Sequence, residues 1–215
     1  MSSDLVEITL LSLAVSGAAT LISLLIGLPI GTWLALYRFR SRHVVLSVVN
    51  TGMALPPVVV GLFIALLLWR SGILGGLGLM YTPGAMVIAE VVIAAPVVMG
   101  LTVAGLGQLD PRLHLQLQGL GASRWQTVWW LWREARLPLL AAVMAAFGSV
   151  ISEVGAAMMV GGNIAHETRV LTTAIVLETG RGEFGNAIVL GLVLLALAFM
   201  VNGVLTWAQQ RGPRR

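Results

Sequence analysis

Two glutamates stand inside long apolar runs of this chain, Glu90 and Glu153. An ionised carboxylate at mid-bilayer costs roughly 2.5 to 3.5 kcal/mol even on insertion scales, so each needs a purpose or a partner. Glu90 lies seven residues after Pro83 and Glu153 eight before Gly161. At 1.5 Å per residue, both come about 10 to 12 Å beneath one surface and can share a layer. Two readings follow: a path for cations or protons, or protonated or hydrogen-bonded ties between helices. A second constellation is the pair Pro56 and Pro57 in LPPVVVGL (55–62). Adjacent prolines remove two donors and crowd the preceding turn, so carbonyls from Thr51 to Met53 must find other partners. That suits either a broken helix facing a pathway or a kink buried in protein.

Catalytic chemistry is poorly served. The chain has no lysine, so a phosphate-cradling G-x-x-x-x-G-K-[ST] loop is excluded and the chain does not hydrolyse ATP alone. There is no cysteine and no H-E-x-x-H, and His43, His114 and His166 fall in separate loops, so no metal centre is expected.

The elements that must position these residues are oily. Of 215 residues, 58% are hydrophobic and only 10% charged, against about 25% charged in soluble domains. The mean hydropathy is +0.93. The apolar runs reach the roughly 20 residues of a spanning helix and lack the ten-residue alternation of a barrel. They predict an all-helical integral membrane protein of one domain over residues 1–215, with five spans at 9–36, 44–69, 83–106, 137–161 and 184–207. The first carries Pro29 as a bend, with a G-x-x-x-G at Gly27 and Gly31 that reads more readily as part of a kinked scaffold helix than as a contact. The N-terminus lacks a basic region and carries Asp4 and Glu7, unlike a cleaved signal peptide.

Between spans three and four, the loop 107–136 reads as folded. Asp110 caps a helix whose first position is Pro111, Gly121 supplies a left-handed stop, and Ser123 with Gln126 makes a capping box for a second helix. On that second helix Trp125, Val128, Trp129 and Trp132 form one apolar stripe, which favours packing on the core or the lipid interface over contact with a partner. Residues 168–179 suggest a short helix at the surface, too short to cross.

Arginine sets the orientation. With the first loop cytoplasmic, that side holds Arg38, Arg40, Arg42, Arg112, Arg124, Arg133, Arg136, Arg211, Arg214 and Arg215, leaving only Arg70, Arg169 and Arg181 outside. This positive-inside bias places the N-terminus outside, the C-terminus and tryptophan helix inside. The net charge of +4 therefore flanks apolar spans and does not point to nucleic acid.

Together LPPVVVGL, ISEVGAAMMVGGNI (151–164) and TRVLTTAIVLETGRGEFGNA (168–187) resemble the membrane subunits of type I ABC importers, within them the tungstate and molybdate permeases. The form E-V-G-A-x-M-M-V-G-G-N, with R-E-A-R at 133–136, looks more like the tungstate branch. The cytoplasmic signature E-A-A-x-x-x-G aligns on Gly121, with Leu115, Gln116 and Leu117 in place of E-A-A. This resemblance implies a homodimer of the type I importer permease fold, a separate ATPase carrying ATP and magnesium, and an extracytoplasmic oxyanion-binding protein. It implies no cofactor or metal on this chain. Coupling to the ATPase falls to Gly119, Leu120, Gly121, Ala122, Ser123, Arg124 and Trp125. A tetrahedral dianion should be passed by neutral donors: amides beside Pro56 and Pro57, the hydroxyls of Thr51 and Ser152, and amides near Gly155. Glu153, Gly155 and Ala156 would form the gate, and Asn163 and Arg169 would meet the binding protein. The implied cargo is tungstate, with molybdate or sulfate as the alternative. A cation or proton channel built on Glu90 and Glu153 would conduct without any ATPase, and a passive scaffold would show neither transport nor coupling.

Overall fold

The computed structural model describes residues 2–210, so Arg211, Arg214 and Arg215 of the charge count lie outside the described residues. Every regular element in it is helical: α1 (Ser2–Leu36), α2 (Arg42–Met53), α3 (Pro57–Leu68), α4 (Pro83–Gly107), α5 (Pro111–Gly119), α6 (Arg124–Glu134), α7 (Arg136–Ile151), α8 (Gly155–Gly161), α9 (Leu171–Gly180) and α10 (Phe184–Gln210), with one short 3-10 turn at Gly75–Leu77. Three helices, α1, α4 and α10, are long and apolar enough to cross a bilayer alone. Two further pairs pass the same test as bent units, α2 with α3 at 101° and α6 with α7 at 76°.

The bends have local causes. Pro56 and Pro57 cannot donate, so α2 stops at Met53 and Pro57 opens α3 at its first position, where a missing N–H is harmless. Span two is thus a broken helix rather than a kinked one. At the second bend, Pro138 deprives the Glu134 carbonyl of its helical donor and crowds it. The span expected over 137–161 is also interrupted: α7 ends at Ile151 and α8 begins at Gly155. Here the Glu153 carboxylate accepts the Ala156 amide at 2.9 Å, taking the donor that would have continued the helix.

Helices α1 and α4 pack in parallel. A Cβ on Gly27 would lie 2.7 Å from Val98 Cβ, and one on Gly31 2.7 Å from Thr102 Cβ, so the G-x-x-x-G is a contact face after all. Pro29 is exposed on α1, which runs through it unbroken. One apolar core joins α1, α3, α4 and α8 through Val15, Val60, Met86, Ile93, Ala157 and Val160. A second seats the loop helices α5 and α6 on the ends of α1 and α4, through Leu106, Leu131 and Ala135. The short helix after span four forms as α9, and its first turn packs inside the protein: Leu171, Thr172, Thr173 and Ala174 are buried, with Leu190 of α10 against them. Its apolar face finds neighbours there that sequence periodicity cannot supply.

Candidate translocation site

The two sequence motifs flanking the helix breaks meet. Gly61 of α3 crosses α8 so closely that a Cβ on it would stand 2.6 Å from Ala156 Cα, and a Cβ on Gly155 would collide with Val58. Two short helices, each beginning at a break, therefore cross through small residues. Around this crossing Thr51, Leu55, Pro56, Val58 and Ser152 are exposed.

Local hydrogen bonding trims the donor set expected here. The Thr51 and Gly52 carbonyls, freed by the prolines, accept from Ala54 N at 3.0 Å and Leu55 N at 3.4 Å. Val59 N and Val60 N both donate to the Pro56 carbonyl, at 2.9 and 3.2 Å, so the amides beside the two prolines are largely spent within the turn. Ser152 Oγ donates to the Gly148 carbonyl at 2.7 Å, satisfying its own helix while remaining exposed.

Glu153 is an anchor. Its side chain caps α8 and its carbonyl accepts from Thr172 Oγ1 at 2.8 Å, so the break is fastened to α9. Thr172 was not among the expected site residues, because a threonine in an apolar stretch carries no signal of such a distant partner. Gly61 was missed likewise, though a glycine amid branched residues hints at close approach. Glu90 is 3% exposed, and its Oε2 has no hydrogen-bond partner among the described residues. It stands within electrostatic reach of Glu153 and lies buried in the core between helices.

The loop 107–136 folds as its caps foretell. Asp110 Oδ1 accepts from Arg112 N at 2.8 Å, and Ser123 and Gln126 exchange bonds of 2.8 and 3.3 Å. Gly121 sits at φ +77°, with Ala122 N returning to the Leu117 carbonyl at 3.0 Å. Gly119, Leu120, Gly121, Ser123, Arg124 and Trp125 are exposed and Ala122 half-buried. Of the two settings expected for the tryptophan stripe, the core takes little of it. Trp125 is 85% and Trp129 63% exposed, while Thr127 and Leu131 are buried. The packed face is centred on Thr127, Leu131 and Ala135, which follow one another four residues apart, and the tryptophans flank it. Trp132 alone is tied inward, its Nε1 donating to Thr32 Oγ1 at 2.8 Å.

At the far end Asn163 and Arg169 come together, Arg169 Nε donating to Asn163 Oδ1 at 3.3 Å. Nearby, His166 Nδ1 meets Glu7 Oε2 at 2.9 Å. The hydrogen bond and charge of Glu7 raise the His166 pKa above its ordinary 6.5. The bridge is therefore present below that raised value and lost as pH climbs through it. In an NMR titration, Glu7→Gln is expected to lower the His166 midpoint; an unchanged midpoint would show that the pair does not form.

Broken helices held by glycine contacts, beside a folded loop of exposed capped helices, define a polytopic helical membrane protein. The chain belongs to the family of binding-protein-dependent transport system inner membrane components, whose sequence pattern matches residues 27–211. It is accordingly a multi-pass inner-membrane permease subunit of an ABC importer, working with an ATPase subunit and a substrate-binding protein, and ATP hydrolysis belongs to the partner. A protein of Haloferax volcanii named a probable anion ABC transporter permease is 39% identical over 98% of this chain and 93% of its own length. The tungstate uptake system permease TupB of Peptoclostridium acidaminophilum is 38% identical over 94% of this chain and 89% of its own. Among solved structures, the MetNI methionine ABC transporter in an inward-facing form matches with a TM-score of 0.74 at 22% identity, covering 98% of this chain and 95% of that one, a likeness of fold.

Proposed function

We propose that this chain moves tungstate inward as one half of a homodimeric permease. The observation that carries this reading is the likeness, along nearly the whole chain, to a tungstate uptake permease. Exposed apolar residues on α3, among them Val58, Leu62, Phe63 and Leu66, suit a second copy of the chain across the path. The broken pairs α2 with α3 and α7 with α8 each count as one crossing, giving five with α1, α4 and α10, and the N-terminus lies outside with the loop 107–136, α6 included, in the cytoplasm as the arginine bias requires. Thr51, Ser152 and the backbone around Pro56, Pro57, Gly155 and Ala156 line the route. Glu153 holds the gate by fixing the break between α7 and α8. ATP binding draws the partner ATPases together, and the corner Gly119–Trp125 carries that motion into the helix breaks. Asn163 and Arg169 face the binding protein.

The test is ATP-dependent uptake of labelled tungstate into vesicles holding this chain with its ATPase and binding protein. Competition by tungstate over molybdate and sulfate is expected. Preference for molybdate would reassign the cargo within the class. Cation flux without ATP would overturn the importer and move function to Glu90 and Glu153.

A further inference from the structure

Where α1 ends, a cavity of about 450 Å³ opens between that helix and the start of α6. Trp33, Tyr37, Trp125 and Trp132 line it, and its principal polar members are Gln118 and Arg124. Its size is that of a small-molecule site, roughly 300 to 1,000 Å³. The Trp132 to Thr32 hydrogen bond fixes one wall in advance. Leading away from the cavity, Ile22, Ile26, Ile30 and Trp33 recur on one face of α1, with Tyr37 just past its end, and all are exposed. The helical stripe is about 17 Å long at 1.5 Å per residue, and one leaflet's hydrocarbon is about 15 Å deep.

We propose that this cavity holds an anionic phospholipid, its phosphate at Arg124 and Gln118 and one acyl chain along the α1 stripe. The apolar track continues up the spanning part of α1, where a soluble ATPase subunit does not reach. Tryptophan and tyrosine at its lower end are the side chains that settle at headgroup level. The charge is complementary: among the described residues no carboxylate lines the cavity, and Arg38 and Arg40 are exposed beside Tyr37. Guanidinium offers five N–H donors, so a phosphate on one edge leaves others for a protein partner. The site is independent of the cargo, since it lies away from the α3/α8 crossing.

The test uses the full chain assembled with its ATPase in nanodiscs of phosphatidylcholine, alone or mixed with phosphatidylglycerol, followed by native mass spectrometry. Wild type is expected to retain phosphatidylglycerol about tenfold over phosphatidylcholine. Arg124→Ala should bring the two near parity, and Tyr37→Ala should weaken both, with thermal midpoints in detergent confirming that each variant folds. Soluble glycerol phosphate should neither bind nor displace the lipid. Equal retention in wild type, a preference that survives Arg124→Ala, replacement by glycerol phosphate, or expulsion of the lipid when the ATPase is added would each overturn the proposal. The last outcome would give the cavity to the ATPase.

Discussion

Gly61→Val is expected to abolish uptake, lowering it at least about tenfold. A Cβ at Gly61 would stand 2.6 Å from Ala156 Cα and 3.1 Å from Met159 Cβ. The first of these neighbours is backbone, which cannot rotate aside. The added methyls must push α3 off α8, and overpacking of this kind costs typically about 1 to 3 kcal/mol. The damage falls on the two helices that start at the breaks, so transport should suffer more than folding. Gly17→Ala is the control: nothing lies within 4 Å of its Cβ, and the change gains about 0.5 to 1 kcal/mol of helix stability. Uptake and thermal midpoint are read together. A Gly61→Val protein that transports like wild type would remove the crossing from the mechanism.

The second large effect concerns Gly121. Its φ of +77° is costly for an L-residue by about 1 to 2 kcal/mol, less for asparagine, yet nothing lies within 4 Å of its Cβ. This chain therefore has room for a side chain there, and steric loss from a large one must be felt by a partner. Uptake is expected to fall in the order wild type, Gly121→Asn, Gly121→Ala, Gly121→Trp, with the tryptophan variant losing at least about tenfold, while ATP hydrolysis by the partner persists without stimulation by the binding protein. If Gly121→Trp transports as well as Gly121→Asn, the corner is not the lever.

The elements legible in the sequence were those governed by near neighbours. Asp110, Gly121, Ser123 and Gln126 act within four residues of their partners, and the helices they bound form as expected. Pro56 and Pro57 break a span wherever it lies, although the amides beside them are largely spent within the turn rather than left for cargo. The rest depends on tertiary contacts. The break after Ile151 arises because Glu153 competes for an amide, a contest between side chain and helix that composition does not decide. Burial of α9 and the turning of Trp125 and Trp129 away from the core reflect which neighbours are present. The same holds for Gly27 and Gly31, whose pairing with α4 joins segments about seventy residues apart.

The parallel α1/α4 contact has a consequence for how the chain is made. α4 emerges from the ribosome two crossings after α1, so α1 must wait in lipid without its main partner. Its buried face carries Ser12, Ser16, Thr20, Ser23 and Thr32. Ser12 donates to the Ile8 carbonyl, Thr20 to Ser16 and Thr32 to Leu28. These three hydroxyls satisfy themselves inside their own helix, which makes that part of the newborn segment tolerable to the bilayer before assembly. Once the later helices arrive, Ser12 Oγ and Thr32 Oγ1 still have lone pairs to accept from Leu171 N of α9 and Trp132 Nε1 of α6, while Gly27 and Gly31 let α4 settle against the same helix.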